Sequence, residues 1–126
     1  MKVKLVKQEP GTSICGHCCV AMISNVELDK VIELFGHQHS TRTKEVHNVL
    51  KKLGIKSNDK LTRKKSSNNF PDSCILKITY DWRKNNGHWI YYKDNNCYDP
   101  VGYIYNLNMF DDPAMGRITS FLKIYS

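Results

Sequence analysis

No stretch of the 126 residues stays apolar over the length that a membrane span needs, so no span is expected. The opening MKVKLVKQEP carries charges but no apolar centre, so no secretory signal is read and a cytoplasmic location is expected. Acidic residues are the minority. Twelve Asp and Glu against 19 Lys and Arg leave a net charge of +7. A basic surface can attract nucleic acid, anionic lipid or an acidic protein. Aromatic side chains interleaved with the basic ones, the pattern that stacks bases, are missing. The one dense run is LTRKKSSNN at 61–69, so a solvated, lysine-rich surface is expected and no nucleic-acid partner. Neither an internal repeat nor a linker divides the chain, which reads as one domain over residues 1–126 with a single modest core. Five cysteines are an odd number, and without a secretory signal reduced thiols are the expectation.

Periodicity splits the chain in two. Cys15, Cys18, Cys19 and Met22 follow a helical spacing, with Ser13 as the expected N-cap. Leu28, Val31, Ile32 and Phe35 form a second stripe ended by Gly36. Val46, Val49, Leu50 and Leu53 form a third, ended by Gly54, with Thr41 or Thr43 as cap. After Gly54 the reading changes to strands: a short one in IKSNDKL, then CILKITY (74–80), HWIYY (88–92), CYD (97–99), YIYNL and RITSFLKIY. TRKKSSNNFPDS between them is polar and reads as a loop, either a substrate lid or an idle connection. Helices followed by strands predict an α+β domain, helices packed on an antiparallel sheet. Trp82 and Trp89 are expected as core or cleft wall, and His47 as a solvated surface residue.

The stretch QEPGTSICGHCC (8–19) concentrates the reactive residue types. Cys15 falls in the first turn of the predicted helix, near unpaired N–H groups and the positive end of the helix dipole, both of which favour a thiolate nucleophile. Gly16, lacking a β-carbon, would let a substrate carbonyl approach. The Cys15 N–H and the Gln8 side-chain amide, folded back by Pro10 and Gly11, would be the two donors to an oxyanion. Cys18 and Cys19 continue the inward helix face and read as core. A metal site would need Cys15 and Cys18 joined by His37 and His39, which matches no common zinc spacing, and no strand–helix–strand pattern frames a redox CxxC. No metal and no cofactor are therefore expected.

A thiol nucleophile needs a base, and the base a partner that orients it. GHWIYYKDNNCYDP (87–100) offers both. If the hairpin turns at Asp94 and Asn95, Tyr92 pairs with Cys97, and His88 and Asp99 become diagonal neighbours on one face. An odd loop length would send Asp99 to the other face.

The ordered set of Gln8, Cys15-Gly16 leading into CVAM, LGIK (53–56), GHW (87–89) and YDP (98–100) resembles the papain-like cysteine peptidases. It is most similar to the bacterial double-glycine leader peptidases and their stand-alone relatives, and the likeness spans nearly the whole chain. It departs at His17, where that family often has Pro, and in a shorter interval from His88 to Asp99. The resemblance implies a papain-like fold, with Cys15 as nucleophile, His88 as general base and acid, Asp99 as the orienter of His88 and Gln8 as oxyanion donor. It implies a peptide or protein substrate. Proteolysis, deamidation and acyl transfer all use this chemistry and stay open. So does an inactive module of the same fold that binds or inhibits a protein partner. The Lys- and Asn-rich composition suits a bacterial or phage setting.

Overall fold

The helical spacing of the first half and the two-residue alternation of the second both appear in the computed structural model, which describes residues 3–65, 70–80 and 87–125. Three helices come first: α1 (Cys15–Ser24), α2 (Leu28–Phe35) and α3 (Thr43–Lys52). Seven strands follow: β1 (Lys56–Ser57), β2 (Thr62–Arg63), β3 (Ser73–Thr79), β4 (Gly87–Lys93), β5 (Asn96–Asp99), β6 (Tyr103–Tyr105) and β7 (Arg117–Tyr125). The chain is thus a mixed α+β fold with an antiparallel sheet. Among the described residues no helix is long and apolar enough to cross a membrane.

The helix stops match the pattern, but the caps do not. Gly36 closes α2 in the left-handed conformation, at φ 79°. Gly54, also at φ 79°, follows α3, and the Gly54 and Ile55 N–H groups bond back to Lys51 and Leu50. Ser13 does not cap α1: Ile14 takes that position and no side chain caps the helix. Neither Thr41 nor Thr43 caps α3. Arg42 stands there, its N–H bonded at 2.9 Å to the Glu45 carboxylate, which reaches back from the first turn. Thr41 is buried and serves another purpose, described below.

The sheet runs β1-β7-β3-β4-β5-β6, with β2 also paired to β7. β2 corrects the reading of TRKKSSNNFPDS as a loop at its start, because Thr62 and Arg63 pair with Phe121 and Ser120. A two-residue strand of polar side chains leaves no alternation to read. Residues 66–69 of that stretch, and Trp82, lie outside the described residues. The hairpin from β4 to β5 turns at Asp94 and Asn95, both with positive φ (48° and 71°), and pairs Tyr92 with Cys97 as expected.

Both sheet faces are covered. Ile75, Trp89, Tyr91, Leu122 and Ile124 pack against Cys19, Val20, Met22, Val31, Val46 and Leu50 of the helices. The alternate residues Cys74, Leu76, Ile78, Ile90, Tyr92 and Phe121 form a second core, to which Phe70, Leu107 and Phe110 add. Leu107 and Phe110 belong to a 3₁₀ turn at Leu107–Asp111, one of two that lead into β7. His47 is half-buried rather than solvated, and its Nδ1 lies 3.0 Å from the Ser57 hydroxyl of β1.

Candidate active site

α1 meets the sheet where β4 begins, and a cleft of about 310 Å³ opens between them. Gln8, Cys15, Thr41, Gly87, His88 and Trp89 are among the residues that line it. Cys15 is the first residue of α1 and half-buried. With no side chain capping this helix, its first-turn N–H groups are left for whatever enters the cleft.

Gly16 has a different role from the one its position suggested. It is buried, and a β-carbon there would overlap the Thr41 hydroxyl. The glycine lets the segment ahead of α3 close against α1. The buried Thr41 Oγ1 has no hydrogen-bond partner, although Thr41 lines the cleft.

His88 and Asp99 meet as the hairpin register requires. His88 Nε2 lies 2.7 Å from Asp99 Oδ1. A carboxylate only accepts, so Nε2 carries the proton in this bond and Nδ1 is left for the cleft, which His88 lines together with Cys15. Burial pulls the imidazole down, but the Asp99 bond and the neighbouring Cys15 sulfur prevail and raise it to about 9. Burial likewise pushes the Asp99 carboxyl up, and here the bond from His88 leads the effects that hold it below the ordinary value. An imidazole that keeps its proton at neutral pH beside a thiol is the partner that a thiolate needs.

Asp99 has two further donors. The Tyr105 hydroxyl donates to Oδ2 at 2.6 Å and the Val101 N–H to Oδ1 at 3.0 Å. Burial, then the Asp99 carboxylate, pushes the Tyr105 phenol up, so it stays a donor. Sequence reasoning missed Tyr105. The signal was there, since Asp99 pairs with Tyr103 and Tyr105 is the diagonal neighbour on the same face.

Gln8 reaches the cleft because its backbone N–H donates to the Pro100 carbonyl at 2.7 Å, which ties the N-terminal segment to the turn after Asp99. Its side-chain Nε2 donates to the Thr12 carbonyl at 3.3 Å, which leaves one N–H uncommitted. Its Oε1 is buried without a partner.

The rest of the cysteine-rich stretch turns inward. Cys18 and Cys19 are fully buried, and burial pushes the Cys18 thiol up to about 12 and Cys19 well up. His17 is fully buried as well. It packs on Phe35, ring centres 4.4 Å apart, and its Nε2 lies 2.8 Å from the His37 carbonyl. That carbonyl only accepts, so Nε2 is protonated and the buried Nδ1 is bare. His37 stacks on His39, ring centres 3.7 Å apart, and contacts Glu45 at 2.6 Å. Among the described residues no three His, Cys, Asp or Glu side chains stand close enough together to hold a metal ion. All five cysteines are free.

The chain matches no protein-family model and no curated protein.

Proposed function

We propose that the protein is a papain-like thiol hydrolase that cleaves a peptide or related amide bond. One observation carries the reading: the His88 imidazole lies between the Asp99 carboxylate, at 2.7 Å, and the Cys15 thiol. In this mechanism Cys15 gives its proton to His88 and attacks the acyl carbon. Negative charge then develops on the carbonyl oxygen, where the Cys15 N–H and the free Gln8 amide hydrogen receive it. His88 passes its proton to the departing amine, and a thioester remains on Cys15. His88 next takes a proton from water, which attacks the thioester and regenerates the thiol. Asp99 holds the ring so that Nδ1 faces the sulfur, and Tyr105 holds Asp99.

Alkylation by iodoacetamide at neutral pH tests this. Cys15 of the native chain should react at least tenfold faster than Cys15 of a His88→Ala chain. That comparison keeps the thiol in the same cleft and removes its proton partner. Equal rates in the two chains would overturn the reading. They would favour the same fold used as a binding or inhibitory module.

A further inference from the structure

On β3 the side chains that face the helices are Ser73, Ile75, Lys77 and Thr79. Ile75 is part of the helix-side core. At the next position along that row a lysine stands instead of an apolar residue, and it lines the cleft. The cross-strand partners of Lys77 are Trp89 on β4 and Ser120 on β7. Its ammonium lies 6.0 Å from the centre of the Trp89 ring. Its stem passes over Gly87, where a β-carbon would stand 3.1 Å from Lys77 Cε. The missing side chain at Gly87 therefore gives Lys77 its path along the cleft.

The described residues give Lys77 no anion. Their ion pairs are Lys30 with Glu33, His37 with Glu45, and His88 with Asp99. Asp99 is already committed to His88, Val101 and Tyr105. Among the described residues that line the cleft, Lys77 is the one with a permanent charge. No described Asp or Glu lines the cleft beside it. An ammonium in the cleft wall, 6.0 Å from the indole centre, can give an incoming anion a charge-assisted bond.

We infer that Lys77 is a specificity residue that selects substrates with an acidic side chain close to the bond attacked. This rests on the thiol chemistry proposed for the same cleft.

Digestion of a proteome-derived peptide mixture, with cut positions mapped by mass spectrometry, tests the inference. Asp or Glu should be enriched roughly tenfold at one fixed distance from the cut, the discrimination that a single charged bond provides. Lys77→Met keeps the stem and should abolish the enrichment. Lys77→Glu should replace it with a preference for Lys or Arg. Unchanged thermal unfolding shows that both variants fold. Cuts placed instead at a fixed distance from free C-termini, and lost in Lys77→Met, would overturn the acidic side chain in favour of a terminal carboxylate. No acidic enrichment, or one that survives Lys77→Met, would overturn the role of Lys77. If nothing is cut while Cys15 still alkylates in a His88-dependent way, the inference about substrate fails and the thiol chemistry stands. If alkylation does not depend on His88 either, both fall together.

Discussion

Replacing Asp99 by Asn keeps the size of the side chain and removes the charge behind His88. Three donors converge on that carboxylate: His88 Nε2 at 2.7 Å, Tyr105 Oη at 2.6 Å and the Val101 N–H at 3.0 Å. Burial alone would lower the imidazole below its ordinary 6.5, yet Asp99 and Cys15 raise it to about 9. The gap between those two values is a factor of roughly 300 in proton affinity, or about 3 kcal/mol. Burial is the largest single influence on the ring and lowers it, and with the carboxylate neutralised only Cys15 still opposes it, so His88 should titrate well below its native value of about 9. An NMR titration of the His88 ring protons reads this directly. The same change should alter the dependence of stability on pH. The folded chain holds the His88 proton more tightly than the unfolded one. The contribution of His88 is therefore complete below about pH 6.5 and is lost as pH rises through about 9. Asp99 is shifted down, so its contribution is present above its ordinary value and is lost as pH falls through the lower native one. The Asn variant should lose both limbs in urea unfolding across pH. If His88 titrates at the same pH in both chains, Asp99 is not what holds its proton and the argument for the pair fails.

Two further outcomes follow from packing around the cleft. Gly16→Ala should destabilise the chain by about 1–3 kcal/mol, because the new methyl meets the Thr41 hydroxyl, and adding Thr41→Ala should restore much of that in urea unfolding. Full stability of Gly16→Ala would mean that the two segments do not pack so tightly. His17 is held below its ordinary 6.5, chiefly by burial, so the unfolded chain takes a proton that the folded one refuses. Stability should fall as pH drops below about 6.5, and His17→Phe should make that decline shallower; an equal decline in both chains would clear His17 of the effect.

What was legible in the sequence was local. Gly36 and Gly54 ended helices because the left-handed backbone they adopt carries no penalty for glycine. The β4–β5 register followed from Asp94 and Asn95, two residues that tolerate positive φ, and that register alone brought His88 to Asp99. What was hidden depended on contacts between distant segments. Thr41 reads as a cap in isolation, and only the docking of α3 on α1 gives it to Gly16. Lys77 reads as the polar member of an alternating strand, and only the position of α1 makes its place a cleft wall. Ser13 has the right chemistry for a cap, but the turn placed Ile14 at the helix start. His17 stands in the sequence only as a departure from the family pattern, and its neighbours in space are Phe35 and His37.

The position of β7 has a bearing on how the chain leaves the ribosome. This last strand in sequence lies inside the sheet, between β1 and β3, and β2 also pairs with it. During synthesis β3 and β4 emerge with one flank of their sheet unpaired, and Leu122 and Ile124 are still missing from the helix-side core. β3, the neighbour of the strand that carries His88, lacks its second partner until residues 117–125 are in place. A nascent chain therefore carries the thiol from early in its synthesis but obtains the complete Cys15, His88 and Asp99 arrangement only after nearly all of the described chain has been made.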